Sequence, residues 1–102
     1  MSGYRVLMRV DDEAGAAERR QAEQRFCRTL EAQLGGAEWV APVYRQYLRL
    51  LHIHGEAVDL EALDESEREI MQAWQAAEAA ALSAALGPHR YMGDAQFEIL
   101  LD

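Results

Sequence analysis

The sequence predicts a single α+β domain in the order β-α-α-α-β, with its two terminal strands paired antiparallel beneath a layer of helices. Three observations carry this. Near the start, Tyr4, Val6, Met8 and Val10 alternate with Arg5, Leu7, Arg9 and Asp11, the period of two of a strand with one buried face. At the far end, Ala95, Phe97, Ile99 and Leu101 alternate with Gln96, Glu98, Leu100 and Asp102 after a Gly93-Asp94 turn. Between them, apolar residues recur three and four apart, the period of an amphipathic helix.

The strands are expected to pair because their outer faces match: Arg5 and Arg9 oppose Glu98 and Asp102 in an antiparallel arrangement. Each outer face also carries one leucine, Leu7 and Leu100, which form an apolar spot in need of a cover. The first helix is predicted over 13–34, with Asp12 as N-cap, Ala22, Phe26, Leu30 and Leu34 on its buried side, and Gly35-Gly36 as its stop. The last helix starts at Asp64, whose side chain caps while Glu67 reaches back. It runs through Ile70, Trp74, Ala77 and Ala81 to Gly87-Pro88. After Glu78 only Ser83 interrupts its alanines and leucines, so it presents almost no polar face. Such a helix is normally buried, and the small side chains suit close packing between an internal helix and a second subunit.

The middle segment admits two readings. As a helix from Pro42, it sets Val43, Tyr47, Leu50 and Leu51 on one side and Arg45, Arg49 and His52 on another, stopping at Gly55. As a hairpin, it completes the strand order of a ferredoxin-like βαββαβ sandwich. Spacing favours the helix, because Arg45-Gln46 is a poor turn and Leu50-Leu51 breaks the alternation. With a helix there, only two strands remain. An isolated strand pair is marginal in water, so association through a shared sheet is expected.

Composition limits the chemistry. The 102 residues have a formal charge of −8 and their ten basic side chains are all arginine. The absence of lysine, the pattern a GC-rich, bacterial-type genome gives, also removes side-chain Schiff-base catalysis. The acidity repels nucleic acid and anionic membrane surfaces. Residues 56–69 hold seven carboxylates and one arginine. That is favourable charge at a helix start, and it offers an edge for a basic protein partner. Cys27, the single cysteine, excludes an intrachain disulfide and reads as a buried, inert thiol. The opening residues lack the basic start and apolar block of a signal peptide. The apolar run 79–87 is about half the roughly 20 residues needed to span a bilayer. A cytoplasmic protein that does not cross a membrane is therefore expected.

Candidate site residues fall in three groups. His52 and His54 share a face only if their segment is a strand, where His89 from the 87–94 loop would complete a three-ligand metal site. Trp39, Tyr44 and Tyr47 form an aromatic group able to stack on a flat ligand or to join core or interface. Leu7, Leu100, Leu82 and Leu86 are the candidate interface. Ser66 and Ser83 have no base beside them, and Gly35-Gly36 lacks the spacing and lysine of a phosphate loop. No catalytic constellation and no cofactor are indicated. The leading expectation is a non-enzymatic, self-associating accessory or interaction protein, a homodimer. The alternative is a dimeric ferredoxin-like domain binding a small molecule or metal, with enzymatic activity open.

Overall fold

A computed structural model describes residues 3–9, 15–55, 59–87 and 96–101. Strand β1 (Tyr4–Arg9) leads to helices α1 (Ala16–Leu34) and α2 (Ala37–His54). A short 3-10 turn (Leu60–Ala62) then leads to helix α3 (Glu65–Leu86) and strand β2 (Gln96–Leu101). The order is β-α-α-α-β, and the middle segment is a helix, which removes the ferredoxin-like alternative.

The strands pair antiparallel, with Tyr4, Val6 and Met8 opposite Leu101, Ile99 and Phe97 on the face toward the helices. On the outer face Arg5 opposes Leu100, Leu7 opposes Glu98 and Arg9 opposes Gln96. This register is slipped by two residues from the one that would set Arg9 directly against Glu98. A two-residue slip leaves every side chain on its own face, so inward packing is free to choose among such registers, and Phe97 stacks on Phe26 of α1 with ring centroids 4.6 Å apart. The charge pair survives as a diagonal, Arg9 Nη2 to Glu98 Oε2 at 2.8 Å. Exposed pairs of this kind contribute about 0–1 kcal/mol, too little to set the register. Asp102 lies outside the described residues.

Helix α1 buries Ala22, Phe26 and Leu30, as their spacing requires. It is shorter than the predicted 13–34. Gly15 occupies the N-cap position without a side-chain cap, and Asp12 lies outside the described residues. At its other end Gly35 turns left-handed (φ 90°), a conformation open to glycine at little cost. The Gly36 N–H then reaches back to the Glu31 carbonyl at 2.8 Å.

Helix α2 begins at Ala37, five residues before Pro42, and so carries the proline inside rather than at its first position. A proline there lacks the N–H that would bond the Glu38 carbonyl. The extra turn persists because Val40 and Ala41 are buried in the core. Trp39 N–H tightens it with a bond to the Gly36 carbonyl at 3.1 Å.

Helix α3 opens on the expected capping box. Asp64 Oδ1 accepts from Glu67 N–H at 2.8 Å, and Glu67 Oε1 accepts from Asp64 N–H at 3.2 Å. It buries Met71, Trp74, Ala77, Ala81 and Ala85, a stripe spaced three or four apart. The alanine-rich half is therefore one-sided rather than buried all round: Ala79 and Ser83 are exposed, and Leu82 and Leu86 are half-buried. Arg25 of α1 holds the last turn by donating from Nη2 to the Ala85 carbonyl at 3.0 Å. The main core joins Tyr4, Met8, Phe26, Leu30 and Trp74. A smaller cluster of Leu50, Leu63 and Met71 ties α2 to the start of α3.

Candidate functional site

The helical middle segment decides the histidine pair. His52 and His54 are both exposed on α2, and two residues along a helix turn side chains to nearly opposite sides. They share no ligand face. His54 Nε2 lies 4.0 Å from Glu67 Oε2 across to α3, while His89 is outside the described residues. Among the described residues no group of three or more His, Cys, Asp or Glu is placed to hold a metal ion.

The aromatic group is regrouped. Tyr44 and Tyr47 flank the fully buried Trp74 of α3, with ring centroids 4.6 and 5.9 Å from it. Trp39 stays 53% exposed on the first turn of α2 and has no part in this cluster. Tyr44 and Tyr47 therefore serve first as packing between α2 and α3, with one side of Tyr44 left bordering an open cleft.

That cleft, about 380 Å³, follows the outer edge of β2 and is lined by Arg9, Tyr44, Glu78, Phe97, Glu98 and Ile99. Burial pushes the Glu78 carboxyl above its ordinary range. The Trp74 indole N–H pulls it partly back while lying outside hydrogen-bond geometry. Burial first, then the Glu78 charge, raises Tyr44. Tyr47 is raised by the same two causes in the same order. The floor thus favours neutral groups able to hydrogen-bond, and no nucleophile with an attendant base stands among them.

The two edges of the sheet differ. Met8 N–H of β1 donates to the Glu23 carboxylate of α1 at 2.8 Å, so it points away from β2 and is already occupied. In an antiparallel ladder, directly opposite residues either bond each other or both turn their backbone groups outward. Met8 and Phe97 are opposite, so the outward set on β2 is Phe97, Ile99 and Leu101. Among the described residues nothing bonds these backbone groups.

Comparison with protein-family models, curated proteins and solved structures finds no match. The site therefore rests on its own geometry. Leu7, 41% exposed, and half-buried Leu100 lie diagonally on the outer sheet face. Leu82 and Phe97 line one hollow, and Leu82 and Leu86 a second along α3, so one of the four candidate interface leucines, Leu82, adjoins β2. Sequence reasoning missed Glu78, Ile99 and Phe97 as site residues, because period two names a face and not an edge. It also missed the exposed Leu48 and Ile53 of α2, for which periodicity had no distinguishing mark. Cys27 sits beside Tyr4, whose hydroxyl donates to Glu31 Oε1 at 2.6 Å. Burial pushes the thiol up, the direction that lowers the thiolate fraction.

Proposed function

We propose that this chain is a non-enzymatic interaction domain that works as a homodimer in the cytoplasm, with the acidic turn before α3 available to a basic protein partner. The supporting observation is the edge of β2, whose outward backbone groups have no partner among the described residues, beside the half-buried Leu82 and Phe97. A strand edge with unpaired N–H and C=O groups is a template for another strand. The charge of −8 speaks against nucleic acid. No described helix is long and apolar enough to cross a membrane. Sedimentation velocity from low to high micromolar concentration tests the proposal: the expected result is a dimer growing in with concentration, and a monodisperse monomer throughout overturns it.

A second reading, a small-molecule binding domain, has one observation in its favour. The cleft beside Tyr44 and Glu78 has a volume within the roughly 300–1,000 Å³ usual for ligand sites. Native mass spectrometry showing a retained small molecule that a Tyr44→Phe, Glu78→Gln double variant releases would favour this reading. The protein mass alone would count against it.

A further inference from the structure

From the edge geometry of β2 we infer that two copies join by antiparallel pairing of β2 with β2 of the second copy, two-fold related through Ile99, to make one four-stranded sheet. This deepens, and rests on, the self-association proposed above.

Among the described residues the β2 edge is the more open of the two. The β1 edge carries the Glu23 carboxylate on its Met8 N–H, whereas Phe97, Ile99 and Leu101 offer alternate N–H and C=O groups outward. Natural edge strands are commonly guarded by an inward charge, a proline or a bulge, and the described stretch Gln96–Leu101 has none of these. Its one charge, Glu98, is matched by Arg9 at 2.8 Å. Two copies of a strongly acidic chain can therefore approach along this line without setting bare carboxylates against each other.

The same residues select the register. Hydrogen bonding requires the outward set to face itself, which leaves three arrangements near the strand centre. Centring on Glu98 places Glu98 against its own copy. Like charges directly opposed are destabilising. Within the described strand, centring on Leu100 pairs only residues 99–101, so Phe97 falls outside the overlap. Centring on Ile99 sets Glu98 against Leu100, bonds all three outward residues, and apposes Phe97 with Leu101 on the helix-facing side. The apolar side chains of the second strand then enter the cleft over Tyr44, and both leucine-lined flanks of α3 come beside the new sheet.

The test is the spacing of nitroxide labels on exposed Gln96, as Gln96→Cys in a Cys27→Ser background, read by double electron–electron resonance. At about 3.4 Å per residue and about 4.8 Å between strands, the Ile99-centred pair separates the two labelled backbones by about 21 Å; the Glu98- and Leu100-centred pairs give about 14 and about 28 Å. A distribution centred on the Ile99 distance is expected. A dimer by sedimentation with any other distance overturns the pairing and leaves self-association standing; a monomer overturns both. Leu100→Glu, which opposes Glu98 of the second copy on the solvent face, should weaken association about tenfold relative to Leu100→Gln with unchanged circular dichroism. Equal affinity of the two variants overturns the register.

Discussion

Replacing Pro42 with alanine should stabilise the fold, because the proline stands where α2 least accommodates it. Counting from Ala37, it is the sixth helical residue, past the first turn in which a missing N–H goes unnoticed. A proline in a helix interior is about 3 kcal/mol less favourable than alanine, through the lost bond and the ring's clash with the carbonyl four residues back. Pro42 is exposed, so little packing is lost on its removal. Against this, proline restricts the unfolded chain, a benefit of about 0.4–1 kcal/mol that alanine gives up. The difference is about 2 kcal/mol in favour of Pro42→Ala. For a domain of this size that raises Tm by about 10 °C, read from the 222 nm signal on heating and checked by the urea midpoint. An unchanged or lowered Tm would show that residues 37–41 do not continue α2, and would refute the reasoning.

Other expectations concern single groups. Because burial raises the Glu78 carboxyl in the folded state, the fold binds its proton more tightly than the unfolded chain. Its contribution to stability is whole below the ordinary glutamate range and is lost as pH rises through the raised value. Glu78→Gln should therefore flatten the fall in urea midpoint between acid and neutral pH, and parallel profiles would contradict this. Asp64→Ala removes the acceptor of the Glu67 N–H and should cost about 1 kcal/mol in chemical denaturation. Cys27, half-buried with its thiol pushed up, should react with a thiol reagent far more slowly in native protein than in denaturant, and equal rates would place it on an open surface.

Element types were largely legible. Period two marked both strands, and the Phe26-Leu30 and Trp74-Ala77-Ala81 spacings marked two helices, since each pattern reports the face that a neighbour buries. The start of α2 was not, because Pro42 reads as a first helical residue and only burial of Val40 and Ala41 against the rest of the fold carries the helix past it. The strand register was off by two residues for a related reason: exposed charges suggested Arg9 opposite Glu98, but the packing of Phe97 on Phe26 outweighs a solvated ion pair. Trp39 lies near Tyr44 and Tyr47 in the chain, yet Trp74 fills that place, a tertiary pairing local spacing does not encode. The alanine run looked apolar on every side, and only the position of α1 shows which side is covered. That β2 rather than β1 keeps a bare edge depends on Glu23 reaching Met8, a contact between distant parts of the chain.

Amide hydrogen exchange of β2, followed residue by residue by NMR as concentration rises, probes that edge most directly. Glu98 and Leu100, whose N–H groups face β1, should be protected at every concentration at which the chain is folded. Phe97, Ile99 and Leu101 should exchange freely in dilute monomer and gain protection in step with the dimer fraction. Fast exchange of those three in a sample that sedimentation shows to be dimeric would contradict the account.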